Sequence, residues 1–155
     1  MTPIELQDEL AAEIGRILSG KKYKTTGGER VPMNIYTQGL PAEQSDDDED
    51  PTPYIIVKLL EGEDTGEKDS FNTVKTVTVV EVWDENPDKQ GYRDVMEIIH
   101  KVYARFAANP SLNNRGVFTG NFKWETQDDA YYPYFLGAFL MDFYIPAVRR
   151  EDPFT

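Results

Sequence analysis

The sequence predicts a single α+β domain with a mixed or antiparallel sheet of about four to five strands and two main helices packed on it. The length of 155 residues suits one domain with one core. Two segments carry apolar residues at helical spacing, whereas shorter segments alternate or are continuously apolar, which is typical of strands. Polar segments connect most of these strands without a helix, which favours an antiparallel or mixed sheet over a parallel one.

The first predicted helix begins at the start of the chain. Thr2 can cap it, Pro3 suits the first helical position, and Glu5 stands where a capping box requires an acid. Gly20 is expected to end this helix. Its apolar stripe contains Leu6, Leu10, Ile14, Ile17 and Leu18.

The next segments change from turn-like to strand-like and then to acidic. Residues 21–32 contain a Gly-Gly pair and predict a loop or a loose hairpin, and residues 33–38 alternate as a half-buried strand does. Residues 39–53 contain three prolines and an acidic run at 46–50. Because like charges repel and proline lacks a backbone donor, we expect a long flexible acidic loop between two strands.

Strands are predicted at 54–60, 74–83, 117–125 and 134–145, with a second polar loop at 61–73. In the strand at 74–83, Val74, Thr76, Thr78, Val80 and Val82 should share one face. The segment 134–145 is apolar on both faces, so it should be central in the sheet or present one face to a partner. Residues 147–155 should form an extended tail.

The second helix is predicted over residues 91–108 and is ended by Asn109-Pro110. The residues expected on its inner face are Tyr92, Val95, Ile99, Val102, Tyr103 and Phe106.

The totals exclude several classes of function. A formal net charge of −12 would repel DNA and anionic lipid, so general binding to either is not expected. The absence of cysteine excludes disulfides and Cys-ligated metal sites. No stretch reaches the roughly 20 apolar residues that a membrane helix needs, so we expect no membrane partner.

Candidate catalytic and metal-binding patterns are weak. His100 is the only histidine, so a His-pair metal site is not possible. Asp84, Asn86 and Asp88 match the first three ligands of a calcium loop, but Lys89 stands where that loop needs glycine. We therefore predict no catalytic, cofactor-binding or metal-binding residues and no enzymatic activity.

The layout of most of the chain resembles a known family. The features that carry the resemblance are the short N-terminal helix, the strand at 54–57 after an acidic loop, the strand at 76–82, and the helix start at 91–95. The segments Asn109-Pro110-Ser111-Leu112, Trp124-Glu125 and 132–137 add to it. With these features the chain resembles the tail terminator (tail completion, or head–tail joining) proteins of long-tailed bacteriophages and phage-tail-like particles.

The resemblance implies a structural virion protein that forms a ring, expected to be hexameric. Such a ring caps the head-proximal end of the tail tube, ends tail growth and forms the surface to which the head docks. The implied partners are further copies of the chain, the tail tube protein and the head–tail connector proteins, with the sheath as a further candidate. DNA would pass the lumen only as cargo. The implied location is the neck region of the virion tail, after synthesis in the host cytoplasm.

Candidate interface residues are aromatic and arginine residues expected in loops or at the terminus, together with the acidic run. They are Tyr36, Asp46, Asp47, Asp48, Tyr131, Tyr132, Arg149, Arg150 and Phe154. Three alternatives stay open: another connector component (stopper, adaptor or tube subunit), a small metal-dependent or hydrolytic enzyme that uses the acidic loops, and a host adaptor that binds through the aromatic surface.

Overall fold

The structure is a computed structural model, and it describes residues 1–42, 50–67, 70–127 and 131–148. The elements in chain order are α1 (Pro3–Ile17), β1 (Tyr23–Lys24), β2 (Arg30–Val31), β3 (Asn34–Thr37), β4 (Tyr54–Glu63), β5 (Asn72–Trp83), α2 (Gln90–Ala108), β6 (Ser111–Leu112), β7 (Gly116–Thr126) and β8 (Tyr134–Ile145).

One six-stranded sheet dominates the fold, with strand order β3-β4-β5-β8-β7-β6. β3 and β4 pair in parallel, and every other neighbouring pair is antiparallel. The predicted α+β class with a mixed sheet is confirmed, whereas the predicted count of about four to five strands was too low. The additional strand, β6, has only two residues, and a segment that short shows no alternation in a sequence.

Both helices lie on one side of this sheet. α1 packs against β3 and β4, and α2 packs against β5, β7 and β8. The predicted capping box of α1 is present, because Glu5 N–H donates to the Thr2 hydroxyl at 3.1 Å and Thr2 N–H donates to the Glu5 carboxylate at 3.2 Å. The stripe of α1 also lies as predicted, with Leu6, Leu10 and Ile14 fully buried.

The inner face of α2 corrects one part of the prediction. Val95, Ile99, Val102 and Phe106 are buried as expected, together with Ile98. Tyr92 and Tyr103, however, are 45% and 41% exposed. Both tyrosines lie at the margin of the apolar stripe, where the sheet below no longer covers the helix flank. The apolar arc of α2 is therefore wider than the face that it buries.

The two longest strands, β5 and β8, lie at the centre of the sheet. The five β5 residues predicted to share one face are all buried beneath the helices. β8 pairs with β5 on one side and with β7 on the other, so its predicted central position is confirmed. A Cβ on Gly137 would lie 2.5 Å from Val95 Cγ1, so the absence of a side chain lets α2 approach β8 closely here.

The remaining predicted segments are described only in part. Residues 21–32 contain the antiparallel pair β1–β2, which is the hairpin version of that prediction. In the connection between β3 and β4, no helix or strand occurs in the described residues 38–42 and 50–53. Of the predicted tail, residues 147 and 148 are described, and Val148 is 91% exposed. Within the described parts, neither helix is long and apolar enough for a membrane crossing.

Candidate assembly surfaces

One end of the sheet is an edge of β7. Among the described residues, β6 pairs only with Gly116 and Val117, so the rest of β7 has a neighbouring strand on one side only. Gln127 N–H donates to the Leu136 carbonyl oxygen on β8 at 3.1 Å. Because backbone groups alternate along a strand, those of Trp124 and Thr126 point away from β8 and out of the sheet.

The opposite end of the sheet is β3, whose only strand neighbour among the described residues is β4. Asn34 N–H donates to the Pro53 carbonyl oxygen at 3.2 Å, and Gln38 N–H donates to the Val57 carbonyl oxygen at 2.9 Å. The same alternation directs the backbone groups of the residues between them, Ile35 and Thr37, out of the sheet. Among the residues that the structure describes, the sheet thus has an unpaired edge at both ends, and such edges can pair with another chain.

A groove lies beside the β7 edge on the helix side. It is a cavity of about 260 Å³ lined by Met96, Ile99, His100, Tyr103, Gly120, Phe122 and Trp124, here termed the helix–strand groove. Tyr103 and Phe122 have ring centroids 4.9 Å apart, and Trp124 is 48% exposed. Tyrosine, tryptophan and methionine are enriched at protein interfaces, and this groove exposes all three residue types.

An irregularity in β7 helps to form the groove. The pairing of β7 with β8 shifts between Phe118 and Phe122, which pair with Phe143 and Met141 respectively. Gly120, inside this bulge, has φ of +92°, a conformation that glycine adopts without steric cost. The bulge sets Phe118 and Phe122 opposite Phe143 and Met141, which are neighbours on the helix side of β8. The Asn121 amide, which donates to the Asp142 carboxylate at 2.8 Å, holds the bulge against β8.

A second apolar cavity lies beside the β3 edge. It has a volume of about 260 Å³, and its lining includes Gly15, Leu18, Pro32, Met33 and Ile35, with Lys21 and Lys22 also contributing. It is here termed the β3-edge cavity. Ile35 belongs to this cavity and also to the outward-facing backbone of β3. Each unpaired edge therefore has an apolar depression beside it, because α1 and α2 do not cover the sheet fully to its ends.

The sheet face away from the helices carries an acid–tyrosine cluster. The Tyr134 hydroxyl donates to the Asp50 carboxylate at 2.7 Å, and this hydrogen bond raises the pKa of Tyr134 to about 12. Burial acts to raise the pKa of Asp50, but hydrogen bonds from Thr52 and Tyr134 outweigh it, so that pKa is lowered. The Tyr134 contact attaches the end of the β3–β4 connection to β8.

Glu81, in the same cluster, has the opposite shift. Burial raises its pKa, and the negative charge of Asp50 adds to this effect. The hydrogen bond that Glu81 shares with Tyr54 works against the shift but does not cancel it. Burial, followed by that hydrogen bond, also raises the pKa of Tyr54. The cluster therefore contains one carboxylate that is stabilised in its charged form and one that is destabilised.

The three residues with the spacing of a calcium loop lie in a series of turns before α2. The side-chain oxygens of Asp84, Asn86 and Asp88 accept the backbone N–H groups of Asn86, Asp88 and Gln90 at 2.9, 3.3 and 3.0 Å. These are Asx turns, in which each side chain bonds the backbone two residues ahead. Asp84 is also 3.4 Å from Lys24 Nζ. In the described part of the chain, no three His, Asp or Glu side chains converge as a metal site would require.

The predicted interface residues are scattered over the structure. Tyr36 lies on the edge strand β3, with its side chain on the face away from the helices and partly exposed. Tyr131 and Tyr132 are 57% and 50% exposed before β8, and the Tyr132 hydroxyl donates to the Glu85 carbonyl oxygen. The candidates Asp46, Asp47, Asp48, Arg149, Arg150 and Phe154 lie outside the described residues.

Sequence reasoning missed the residues of the helix–strand groove. The sequence predicts Tyr103 on the inner face of α2, and Trp124 enters only as part of the family resemblance and not among the predicted interface residues. A signal was present, because Tyr92, Met96 and Tyr103 follow helical spacing, and Met96 and Tyr103 each come one position after a buried valine, Val95 or Val102. An apolar arc as wide as that of α2 predicts that the helix has two adjacent packing partners. The sheet is one of these partners.

The whole chain has no match among protein-family models, and no curated protein matches it either. Sequence similarity thus assigns it to no family. Its function has to be inferred from the fold and from the surfaces that the fold leaves open.

Proposed function

We propose that this chain is a structural ring subunit that caps the head-proximal end of a phage tail tube, ends tail growth and forms the surface on which the head docks. The observation that carries the proposal is the pair of unpaired sheet edges, each beside an apolar depression. The resemblance of the sequence layout to tail terminator proteins is the reason for proposing this particular kind of ring. A polar cavity of about 210 Å³ lies beside Asp84, and its lining includes Tyr23, Lys24, Arg30 and Asp94. Asp84 itself accepts a turn hydrogen bond from Asn86 N–H and pairs with Lys24.

A ring needs two different contact surfaces on every subunit. In a head-to-tail ring, one patch of each copy binds a different patch of the next copy, and the rotation closes the assembly. The two edges of the sheet meet this requirement, since they lie at opposite ends of one rigid sheet. A single self-complementary patch would instead favour a two-fold dimer.

The charge of the chain suits stepwise assembly. A net charge of −12 opposes self-association of free subunits, so contacts between copies are favoured where further surfaces contribute. In the proposed ring these surfaces belong to the tail tube protein and the connector proteins, and the sheath is a further candidate. DNA passes through the lumen without a dedicated binding site. The ring is located in the neck of the virion tail.

Electron microscopy of particles that carry a labelled copy of the chain tests this proposal. We expect one label position, at the head-proximal end of each tail. Label along the whole tube would identify a tube subunit, and label on the head side of the joint would identify a stopper or adaptor. Particles without label would remove the proposed function altogether.

A further inference from the structure

We infer that the unpaired edge of β7 in one copy of this chain pairs with the β3 edge of a second copy, so that the sheet continues from subunit to subunit. The inference rests on the proposed function only in requiring self-assembly. It assigns the contact to two named strands and to the side chains beside them.

The direction of the strands permits this contact in a head-to-tail arrangement. β3 runs parallel to β4, and the antiparallel pairs β4–β5, β5–β8 and β8–β7 reverse the direction three times. β7 therefore runs opposite to β3. When two copies stand side by side in the same orientation, β7 of one and β3 of the next meet as antiparallel neighbours, which is the more stable way for strands to pair.

Most of the outward backbone groups at both edges are available for the new ladder. Trp124 and Thr126 direct their N–H and carbonyl groups out of β7, and Ile35 directs both of its groups out of β3. The Thr37 N–H also points outward, whereas the Thr37 carbonyl oxygen accepts the Gly39 N–H at 2.8 Å. The side chains of Trp124 and Ile35 both lie on the helix side of the sheet. A pair of hydrogen-bonded residues has its side chains on one face, so the helices of both copies lie on the same side of the continued sheet.

The side chains beside the edges fit the same contact. Trp124 projects from the β7 edge with about half of its surface exposed, and it borders the helix–strand groove. In the paired arrangement, its indole faces the β3-edge cavity of the next copy, which is lined by Met33, Ile35 and Leu18. A large aromatic anchor in an apolar depression is the usual centre of binding energy at an interface.

Two proline variants test the pairing. Trp124→Pro and Thr37→Pro each remove an N–H that points out of the sheet, while the hydrogen bonds to β8 and β4 remain. The first variant keeps a working β3 edge, and the second keeps a working β7 edge. Mixed together they can form one contact and no more.

The measurement is the mass of the full chain in solution, by sedimentation at high protein concentration and at a salt concentration that screens the repulsion between subunits of net charge −12. We expect the wild type to form species larger than a dimer, each variant alone to be monomeric, and the equimolar mixture to form a one-to-one dimer. That dimer would also show that both variants fold. A monomeric wild type, larger species from either variant alone, or a mixture that stays monomeric would each overturn the inference.

The two proposals can fail independently. If the chain pairs through β7 and β3 but labels no phage tail, the proposed function is wrong and the inferred contact stands. A label at the tail end together with proline variants that assemble normally would keep the function and remove the contact.

Discussion

At the scale of single residues, two threonines on β5 differ in one hydrogen bond. Thr76 and Thr78 are both fully buried on the helix side of the sheet. The Thr76 hydroxyl donates to the Met141 carbonyl oxygen at 3.0 Å. Thr78 Oγ1 is the one buried side-chain polar atom without a hydrogen-bond partner in the described residues. A buried polar group without a partner loses the free energy of its hydration and regains nothing.

Replacing each threonine with valine should therefore have opposite effects. Thr78→Val removes an unpaired hydroxyl with little change in shape, and we expect the free energy of unfolding to rise by about 1 kcal/mol. Thr76→Val leaves the Met141 carbonyl oxygen with one bond fewer, and we expect a fall of about the same size. Denaturant unfolding of the two variants measures both changes. Equal destabilisation by the two substitutions would show that the Thr78 hydroxyl has a hydrogen-bond partner in the folded protein.

At the scale of elements, one arginine connects the two helices. Arg105 on α2 donates to the Glu13 carboxylate on α1 at 2.9 Å, and Arg16 donates to the same carboxylate at 2.7 Å. Burial acts to raise the pKa of Glu13, but the two arginines outweigh it and the pKa is lowered. Arg105 also donates to the Ser111 carbonyl oxygen at 3.0 Å, which fixes the chain after α2.

Glu13→Gln and Glu81→Gln form a matched pair with opposite expected signs. A lowered pKa adds stability that is present above the unfolded value of 4.5 and is lost as the pH falls through the folded value. Glu13→Gln should thus destabilise near neutral pH. The pKa of Glu81 is raised, so its charged form weakens the fold and Glu81→Gln should stabilise there.

Each of these differences should be below about 1 kcal/mol, because both carboxylates are partly solvated. Unfolding measured near neutral pH and again well below the usual glutamate pKa checks them. We expect both differences to shrink at the acidic pH, where the wild-type carboxylates are protonated as well. The same sign for both variants near neutral pH would contradict the assigned causes of the two shifts.

The helices and the long strands follow from local patterns in the sequence. The capping box of α1, the alternation in β5 and the apolar length of β8 are local features, and all three were predicted correctly. The helix–strand groove was not predictable in this way, because it depends on where the sheet ends beneath α2. Tyr103 and Val102 are both compatible with a core position, and only the tertiary packing exposes the first and buries the second.

The edges of the sheet needed the topology as well. β3 has only four residues, with Ile35 and Tyr36 half-buried between the exposed Asn34 and Thr37, and so short a segment carries no local pattern that marks an edge strand. β6 is too short to show a sequence pattern. The bulge in β7 shifts the pairing of β7 with β8, and Gly120 is the only strong sequence signal for it. The candidate residues chosen from the sequence were aromatic and arginine residues expected in loops or at the terminus, together with the acidic run. The aromatic residues of the helix–strand groove lie instead on α2 and β7.

At the scale of the whole molecule, the two apolar depressions described above lie at the two ends of the sheet. The central part of the sheet is covered on one side by α1 and α2, and the acid–tyrosine cluster lies on the other side. The two edges with their apolar depressions remain for contacts between molecules. A subunit of this design gains its function from neighbours, which is the central claim for this chain.

The length of tails assembled without this chain tests that claim most directly. Particles would be produced from the same gene set with and without the gene for this protein, and tube lengths would be measured by electron microscopy. A subunit that ends tube growth predicts overlong tubes in its absence and restoration of the normal length when it is supplied again. Tubes of normal length without the protein, with or without leaking heads, would contradict the account.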